Sequence, residues 1–439
     1  MNQHMNGPTL DEACSTARAL FRERHPESEK LFERAQSVMP GGNTRTALHF
    51  EPFPVYVKES AGCHITDVDG YRYLDALGEF TAGLYGHSHP ILDTAIVEAA
   101  RSGMSNGAPG ECEIALAELL CARFPAVESI RFCNSGTEAN LYALTLARIA
   151  TGRPACLAFT GGYHGGVLAF AGGGSPMNVP FEWIVGRYND PAIGELIESL
   201  GDRLAAVIIE PLLSNGGCIA ADPAFLSSIR EATKRTGALL IFDEVVTSRM
   251  SSGGLQKRFD ITPDMTTFGK YIGAGFSFGA FGGRAGLMDR FDPRKPGSLA
   301  HAGTFNNNVY SMAVGHKALS EVFTPERADR LFDDGERLRE RLNAEARQIA
   351  PEVQFTGGGS IMNIHFAKGE IRSSDDLKGE NRGLFQLFHL DMLQMGVYIA
   401  ARGQINLSLP MEAAEFERIE AAVVEFLQTR RVVIAANVG

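Results

Sequence analysis

The chain has no apolar run long enough to cross a bilayer; its most buried-looking stretches, residues 204–213 and 238–246, are short and carry carboxylates. It also lacks an excess of basic charge, since 52 Asp and Glu against 41 Lys and Arg leave a formal net charge of −11. Nucleic acid and anionic membranes select basic surfaces, so neither is expected as a partner. Small anionic ligands answer to local charge and are not excluded. Cysteine is sparse and unpatterned: seven positions (14, 63, 112, 121, 133, 156 and 218), an odd number with no Cys-x-x-Cys pair. That fits reduced thiols in a cytoplasmic protein better than a disulfide framework or a zinc site. The first residues hold Asp11, Glu12, Arg18, Arg22 and Arg24 and no apolar signal core. Internal repeats and low-complexity tracts are missing too.

What remains is ordinary globular composition, 44% apolar and 21% charged over 439 residues, too much chain for one small core. Residues 9–38 read as helical up to the break at Met39-Pro-Gly-Gly, and 53–75 alternate as a hairpin or meander around Asp67-Val-Asp-Gly. From about 90 to 310, helical segments alternate with seven short apolar runs: 129–133, 155–159, 182–186, 204–209, 238–242, 265–268 and 278–282. This is the α/β pattern of a mostly parallel seven-stranded sheet flanked by helices, with ligands at the carboxyl ends of the strands. After about 310 the pattern becomes helices around short β segments, closed by a helix that buries Phe416, Ile419, Val423 and Phe426. The expected division is a large domain over 76–310 and a smaller α+β domain from both chain ends, 1–75 and 311–439.

The polar residues at the strand ends carry the chemistry. Lys270 lies in Thr266-Thr-Phe-Gly-Lys-Tyr-Ile-Gly-Ala-Gly, an apolar strand followed by a glycine-rich turn; Asp243 ends the apolar run Leu239-Leu-Ile-Phe. A lysine and an aspartate so placed suit pyridoxal 5′-phosphate: the amine binds the aldehyde as a Schiff base, and the carboxylate keeps the ring nitrogen protonated. A free lysine is neutral in only about one part in several thousand at pH 7, so reaching the neutral amine costs roughly 4–5 kcal/mol unless the site lowers it. Asn134-Ser-Gly-Thr-Glu enters a helix, where Ser135, Gly136 and Thr137 offer N–H groups and two hydroxyls to a phosphate. The same Ser135 and Glu138 have capping-box spacing, an even alternative. Gly161-Gly-Tyr-His-Gly-Gly places Tyr163 and His164 in a glycine loop after a strand, where an aromatic ring suits stacking on a flat heterocycle. Glu210, before Pro211, is expected to position the cofactor through water or Asn215 rather than to move protons.

Together these motifs resemble the class III aminotransferases of fold type I over nearly the whole chain: N-S-G-T-E-A-N at 134–140, G-Y-H-G at 162–165, D-E-V at 243–245, G-K at 269–270 and H-A-G-T-F at 301–305. Within the family the chain looks most like β-amino acid (β-phenylalanine) aminotransferases, by the segments 39–45, 278–284, 304–308 and 401–410, and next most like glutamate-1-semialdehyde aminomutases. The resemblance implies that Lys270 carries the cofactor, Asp243 pairs with its ring nitrogen, Ser135, Gly136 and Thr137 bind its phosphate, and Tyr163 and Val245 flank its ring. It also implies that Thr304 reaches the phosphate of a second subunit, which requires a homodimer with shared sites. One departure is Leu212-Leu-Ser-Asn-Gly-Gly, where relatives carry smaller residues, and it bears on pocket shape. Keeping both Lys270 and Asp243 argues against a catalytically silent cofactor-binding protein.

Arg45 and Arg402 each flank a glycine-containing turn and are the candidates for substrate carboxylates, because a guanidinium presents a planar fork. No metal site is expected: Gly86-His-Ser-His-Pro has no third ligand at a sensible spacing, and Ser88 is expected to cap the helix that follows Pro90. The expected activity moves the amino group of a β-amino acid to 2-oxoglutarate or pyruvate, with intramolecular transfer of the aminomutase kind as the alternative.

Overall fold

The computed structural model describes residues 7–438. In chain order the strands begin with β1 (Val57–Ala61), β2 (His64–Asp67) and β3 (Arg72–Asp75), the antiparallel meander expected over 53–75. The central sheet uses β4 (Ser129–Cys133), β5 (Ala155–Phe159), β6 (Glu182–Gly186) and β7 (Leu204–Ile209). A small hairpin of β8 (Leu212–Leu213) and β9 (Ile219–Ala220) follows, and the sheet resumes with β10 (Leu239–Asp243), β11 (Met265–Gly269) and β12 (Gly279–Gly283). The last part contributes β13 (Val353–Gly358), β14 (Ile361–Phe366), β15 (Val397–Tyr398) and β16 (Gln404–Asn406).

Each of the seven apolar runs becomes a central strand, with limits shifted by no more than one residue, in the order β4-β12-β11-β10-β7-β5-β6. Only β12 in this sheet runs antiparallel to its neighbours. Side chains alternate between two covered faces. Ala206, Ile208, Leu239 and Ile241 pack with Ala139, Ala143 and Leu144 of the helix Gly136–Thr151. Val207, Ile209, Leu240 and Phe242 pack on the other side with Ile193 and Ile197, Phe225 and Ile229, from the helices Ile193–Leu200 and Pro223–Thr236. A strand buried on both faces needs an unbroken apolar run, which is why these segments do not alternate in sequence.

The chain ends meet. β15 pairs in parallel with β3 and completes a sheet of order β1-β2-β3-β15, while β13, β14 and β16 form another. Three local expectations change. The helix over 9–38 is two helices, Leu10–Arg24 and Pro26–Gln36, because Pro26 has no N–H to continue the first and starts the second instead. Ser88 does not cap: the helix Pro90–Arg101 begins from His89 without a side-chain bond, and Ser88 sits left-handed at φ 53 with its hydroxyl toward Ser60 O. The final helix, Ala413–Asn437, buries Ile419, Val423 and Phe426, but Phe416 only partly. Among the described residues no helix is long and apolar enough to cross a membrane.

Candidate active site

β4 runs into the helix Gly136–Thr151 through Ser135, whose Oγ accepts the Glu138 N–H at 3.1 Å. The capping alternative is therefore half correct, because Glu138 reaches back to the Asn134 amide (2.8 Å) and not to Ser135. The first-turn N–H groups of Gly136 and Thr137 have no intrahelical acceptor. Glycines make the room around them. A Cβ on Gly136 would lie 2.8 Å from Val245 Cγ2, one on Gly165 2.2 Å from Thr137 Oγ1, and one on Gly279 2.1 Å from Ser135 O. One on Gly269, the residue before Lys270, would lie 3.4 Å from the Gly136 nitrogen. The helix start, Val245, the 161–166 loop and the lysine turn are thus in mutual contact.

Asp243 is buried at the carboxyl end of β10 and is held by donors on every side. Its Oδ2 accepts from His164 Nδ1 and Asn140 Nδ2, both at 2.8 Å, and its Oδ1 accepts the Val245 N–H at 3.0 Å. Asn140 is fixed in turn, donating also to His164 O (2.9 Å) and accepting from Thr267 Oγ1 (2.6 Å). Such donors fix the direction in which the carboxylate points. Glu210 is buried beside this group. Its carboxylate accepts from the Tyr163 amide (2.9 Å) and from Ser214 Oγ (2.6 Å), so its partner is Ser214 rather than the exposed Asn215. Burial pushes Glu210 above the usual carboxylate range, with His164 pulling the other way. Tyr163 is 45% exposed, which leaves its ring open to the cleft.

Lys270 follows β11 at φ 53, and its Nζ donates to Phe80 O at 2.7 Å. Burial first, then the Arg402 and Arg45 cations, push the amine down to about 8 against the pull of Glu210 and Asp243. Neutral amine at pH 7 then costs about 1–2 kcal/mol instead of roughly 4–5. Phe80 is itself unusual. Gly78, Glu79, Phe80 and Thr81 are all left-handed, at φ 51, 48, 51 and 81. Each non-glycine residue there costs about 1–2 kcal/mol. The Phe80 ring lies 5.5 Å from Arg45 Cζ and 5.2 Å from Arg402 Cζ, so one aromatic residue touches both arginines and the lysine. Arg45 pairs with Glu79 Oε1 at 2.7 Å, while Arg402 is largely enclosed and bonded to Gln404 Oε1.

The fold therefore gathers Arg45, Ser135, Gly136, Thr137, Tyr163, His164, Glu210, Asp243, Val245, Lys270 and Arg402 around one cleft. Thr304 stands apart, exposed on the segment that Asn306 ties to Asn134 Nδ2 (2.9 Å). Sequence reasoning missed Asn140, Thr267 and Phe80. Asn140 had a signal, a polar residue beside Ala139 and Ala143 on the buried face of an apolar helix. Phe80 had none.

The residues fit pyridoxal phosphate: an amine, a buried and hydrogen-bonded carboxylate, and a helix N-terminus kept open by glycines. Chemistry that ties an aldehyde to an amine while a ring nitrogen faces a carboxylate needs this layout, and the fold places the chain among the fold type I pyridoxal phosphate enzymes. The chain belongs to the aminotransferase class-III family, which it matches over residues 46–426. It is 46% identical to a beta-phenylalanine transaminase of Variovorax paradoxus, across 96% of this chain and 98% of that one. It is 35% identical to a glutamate-1-semialdehyde 2,1-aminomutase of Methanothermobacter thermautotrophicus, across 90% and 97%. The crystal structure of a β-phenylalanine aminotransferase from Variovorax paradoxus superposes with a TM-score of 0.95 at 46% identity, across 97% and 99%. The protein is a pyridoxal phosphate-dependent aminotransferase.

Proposed function

We propose that this aminotransferase takes its amino group from a β-amino acid, with an aromatic β-substituent as the favoured kind, and passes it to 2-oxoglutarate or pyruvate. The observation that carries the reading is the pair of guanidinium groups, Arg45 and Arg402, against the ring of Phe80, whose carbonyl accepts from Lys270. A β-amino acid holds its carboxylate one carbon further from nitrogen than an α-keto acid does. Two arginines at different depths suit two such substrates, Arg45 for the donor and Arg402 for the acceptor. The likeness to a beta-phenylalanine transaminase supports the choice of donor.

Pyridoxal phosphate, when bound, supplies an electron-withdrawing ring that lets the carbon next to the substrate nitrogen lose a proton. In this reading Gly136 and Thr137 hold its phosphate with Ser135, and Tyr163 and Val245 flank its ring. Asp243, aimed by His164 and Asn140, faces the ring nitrogen. Lys270 would take the proton from the substrate carbon and return it two atoms along, on the far side of the nitrogen; an amine lowered by burial is suited to both tasks near neutral pH. Glu210 fixes the Tyr163 backbone and moves no proton.

The working unit in this reading is a homodimer in the cytoplasm, with Thr304 completing the partner's phosphate site. Phe305 (58% exposed) and Met104 (64%) are exposed apolar side chains on two segments linked where Val309 N donates to Met104 O (3.2 Å), and a second copy would cover them. All seven cysteines are unpaired, as a reducing compartment favours. In this reading residues 76–310 form the large domain, and the described residues on either side of it, 7–75 and 311–438, form the small one.

The test follows the visible absorbance of the holoenzyme. β-Phenylalanine alone is expected to bleach it once, with one equivalent of keto product, and 2-oxoglutarate then to restore it and start turnover. If glutamate-1-semialdehyde is isomerised with no keto acid present while β-amino acids leave the spectrum unchanged, intramolecular transfer replaces this reading. Mixing Thr304→Ala with Lys270→Ala subunits tests the shared site.

A further inference from the structure

Arg249 is a buried cation with no anion beside it. It lies in the turn Thr247–Met250 after β10, is 1% exposed, and is in none of the ion pairs among the described residues. Its Nη1 donates to Thr81 O at 2.9 Å and its Nη2 to Leu407 O, while its Nε has no partner. Tyr85 and Tyr271 are near, with buried hydroxyls that also lack partners. Burial lowers its pKa only to about 10, so it stays charged at neutral pH. A guanidinium enclosed in this way carries a desolvation cost that only its hydrogen bonds offset. An apolar residue in its place could not donate, in a rigid fork, to two carbonyls at once.

The two carbonyls identify the task. Thr81 ends the left-handed turn Gly78–Thr81, and Leu407 follows β16. A run of left-handed non-glycine residues persists only where its surroundings over-determine it. The start of this turn is held twice: Asp75 Oδ1 accepts the Leu77 and Gly78 N–H groups (3.1 and 2.9 Å), and Asn406 Nδ2 donates to Leu77 O (2.7 Å). At the other end, among the described residues, two side chains donate to the turn's carbonyls, Lys270 to Phe80 O and Arg249 to Thr81 O. Lys270 is the amine that the reaction engages, so it cannot be the permanent hold.

We propose that Arg249 is a positioning residue: its fork ties Thr81 to Leu407, keeping the turn left-handed with the Phe80 carbonyl at Lys270 and the Phe80 ring against Arg45 and Arg402. The clamp itself stands on the backbone geometry; its effect on rate rests on the roles given above to Lys270 and the arginines. Arg249 touches no substrate and acts through Phe80.

The experiment compares wild type, Arg249→Met and Arg249→Lys by hydrogen exchange of the cofactor-free protein, thermal melting, and the kinetics of each half-reaction. Arg249→Met, which leaves the Thr81 and Leu407 carbonyls without their donor, is expected to lower the melting temperature only slightly, while exchange over residues 77–83 quickens by about tenfold or more and exchange elsewhere is unchanged. Its kcat/KM for amino donor and keto acceptor should fall together, each by about tenfold, since both arginines lose the same support. Arg249→Lys, whose single ammonium has no fork to bridge two carbonyls, should show smaller changes in the same direction. Unchanged exchange over 77–83 overturns the clamp, and so does a uniform rise across the chain with a much lower melting temperature. Faster local exchange with both half-reactions unaltered overturns the positioning role. If Arg249→Met does not fold, Arg249→Lys decides by the same criteria, and wild-type exchange and rates in it refute the proposal. A wrong substrate assignment would appear as an inactive wild type and would leave the exchange result standing.

Discussion

The two sides of the cleft are built differently. On the sheet side, Ser135, Glu210, Asp243 and Lys270 each stand at or just beyond the end of a central strand, so the register of the sheet sets their positions. Room there comes from missing side chains at Gly136, Gly165 and Gly279. On the turn side, Arg45 precedes β1, Phe80 follows β3 and Arg402 lies between β15 and β16. Nothing regular joins those three. They meet because Asp75, Asn406, Lys270 and Arg249 hold backbone groups of one strained turn. A site can take its fixed chemistry from the scaffold and its substrate contacts from a conformation that the rest of the molecule must impose.

The sharpest contrast comes from the sheet side. Lys270→Ala should fold and keep cofactor without a covalent link, yet lose turnover by about a thousandfold or more, some 4 kcal/mol in the barrier. Turnover within tenfold of wild type would show that another group moves the proton. Asp243→Asn should lose roughly a hundredfold in both half-reactions, because a neutral amide cannot pair with a protonated ring nitrogen; a near-normal rate removes that role. The turn side should break selectively. Arg45→Gln should cost the β-amino acid half-reaction about 1.5–3 kcal/mol, roughly ten- to a hundredfold in kcat/KM, and Arg402→Gln the keto acid half-reaction by a similar factor. Equal losses in both half-reactions for both variants would refute the division of labour.

Gly136→Ala probes the scaffold's room without touching a charge. Its methyl would stand 2.8 Å from Val245 Cγ2, so cofactor affinity should drop by about tenfold, measured by titrating the cofactor-free protein. Unchanged affinity would mean that this helix start does not seat the phosphate. The smallest effect links the two sides. In cofactor-free protein, acylation of Lys270 followed by mass spectrometry should titrate near pH 8. Arg402→Gln should move that midpoint upward, since removing a cation favours the ammonium form. A midpoint that stays or falls separates the turn side from the lysine.

The same contrast explains what could be read in advance. Strand ends are legible because burial on both faces demands continuous apolar runs, and the residue that breaks each run is the one presented at the carboxyl end of its strand. Lys270, Asp243 and Glu210 emerged that way, although the strand order and the reversed β12 did not, since pairing is non-local. Asn140 was legible in principle, a polar residue on a buried helix face. Phe80 was not, because what singles it out is a backbone carbonyl, which every residue possesses, and a φ that nothing in Gly-Glu-Phe-Thr announces. The Ser88 cap and the unbroken helix over 9–38 failed for a related reason: capping depends on local φ, and a pattern read by polarity alone passes over the proline at the seam of two helices.

The pairing of β3 with β15 has a consequence for how the protein is made. All seven strands of the central sheet have been synthesised by residue 283, but the N-terminal meander gains its fourth strand only at residues 397–398. Asn406 and Leu407, which brace the turn beside Phe80, come later still. Contacts so far apart in the chain form slowly and late. A nascent chain still on the ribosome therefore holds the amine and the carboxylate long before it holds the turn that presents substrate to them. Synthesis itself orders assembly, so that catalytic competence waits on residues 397–407.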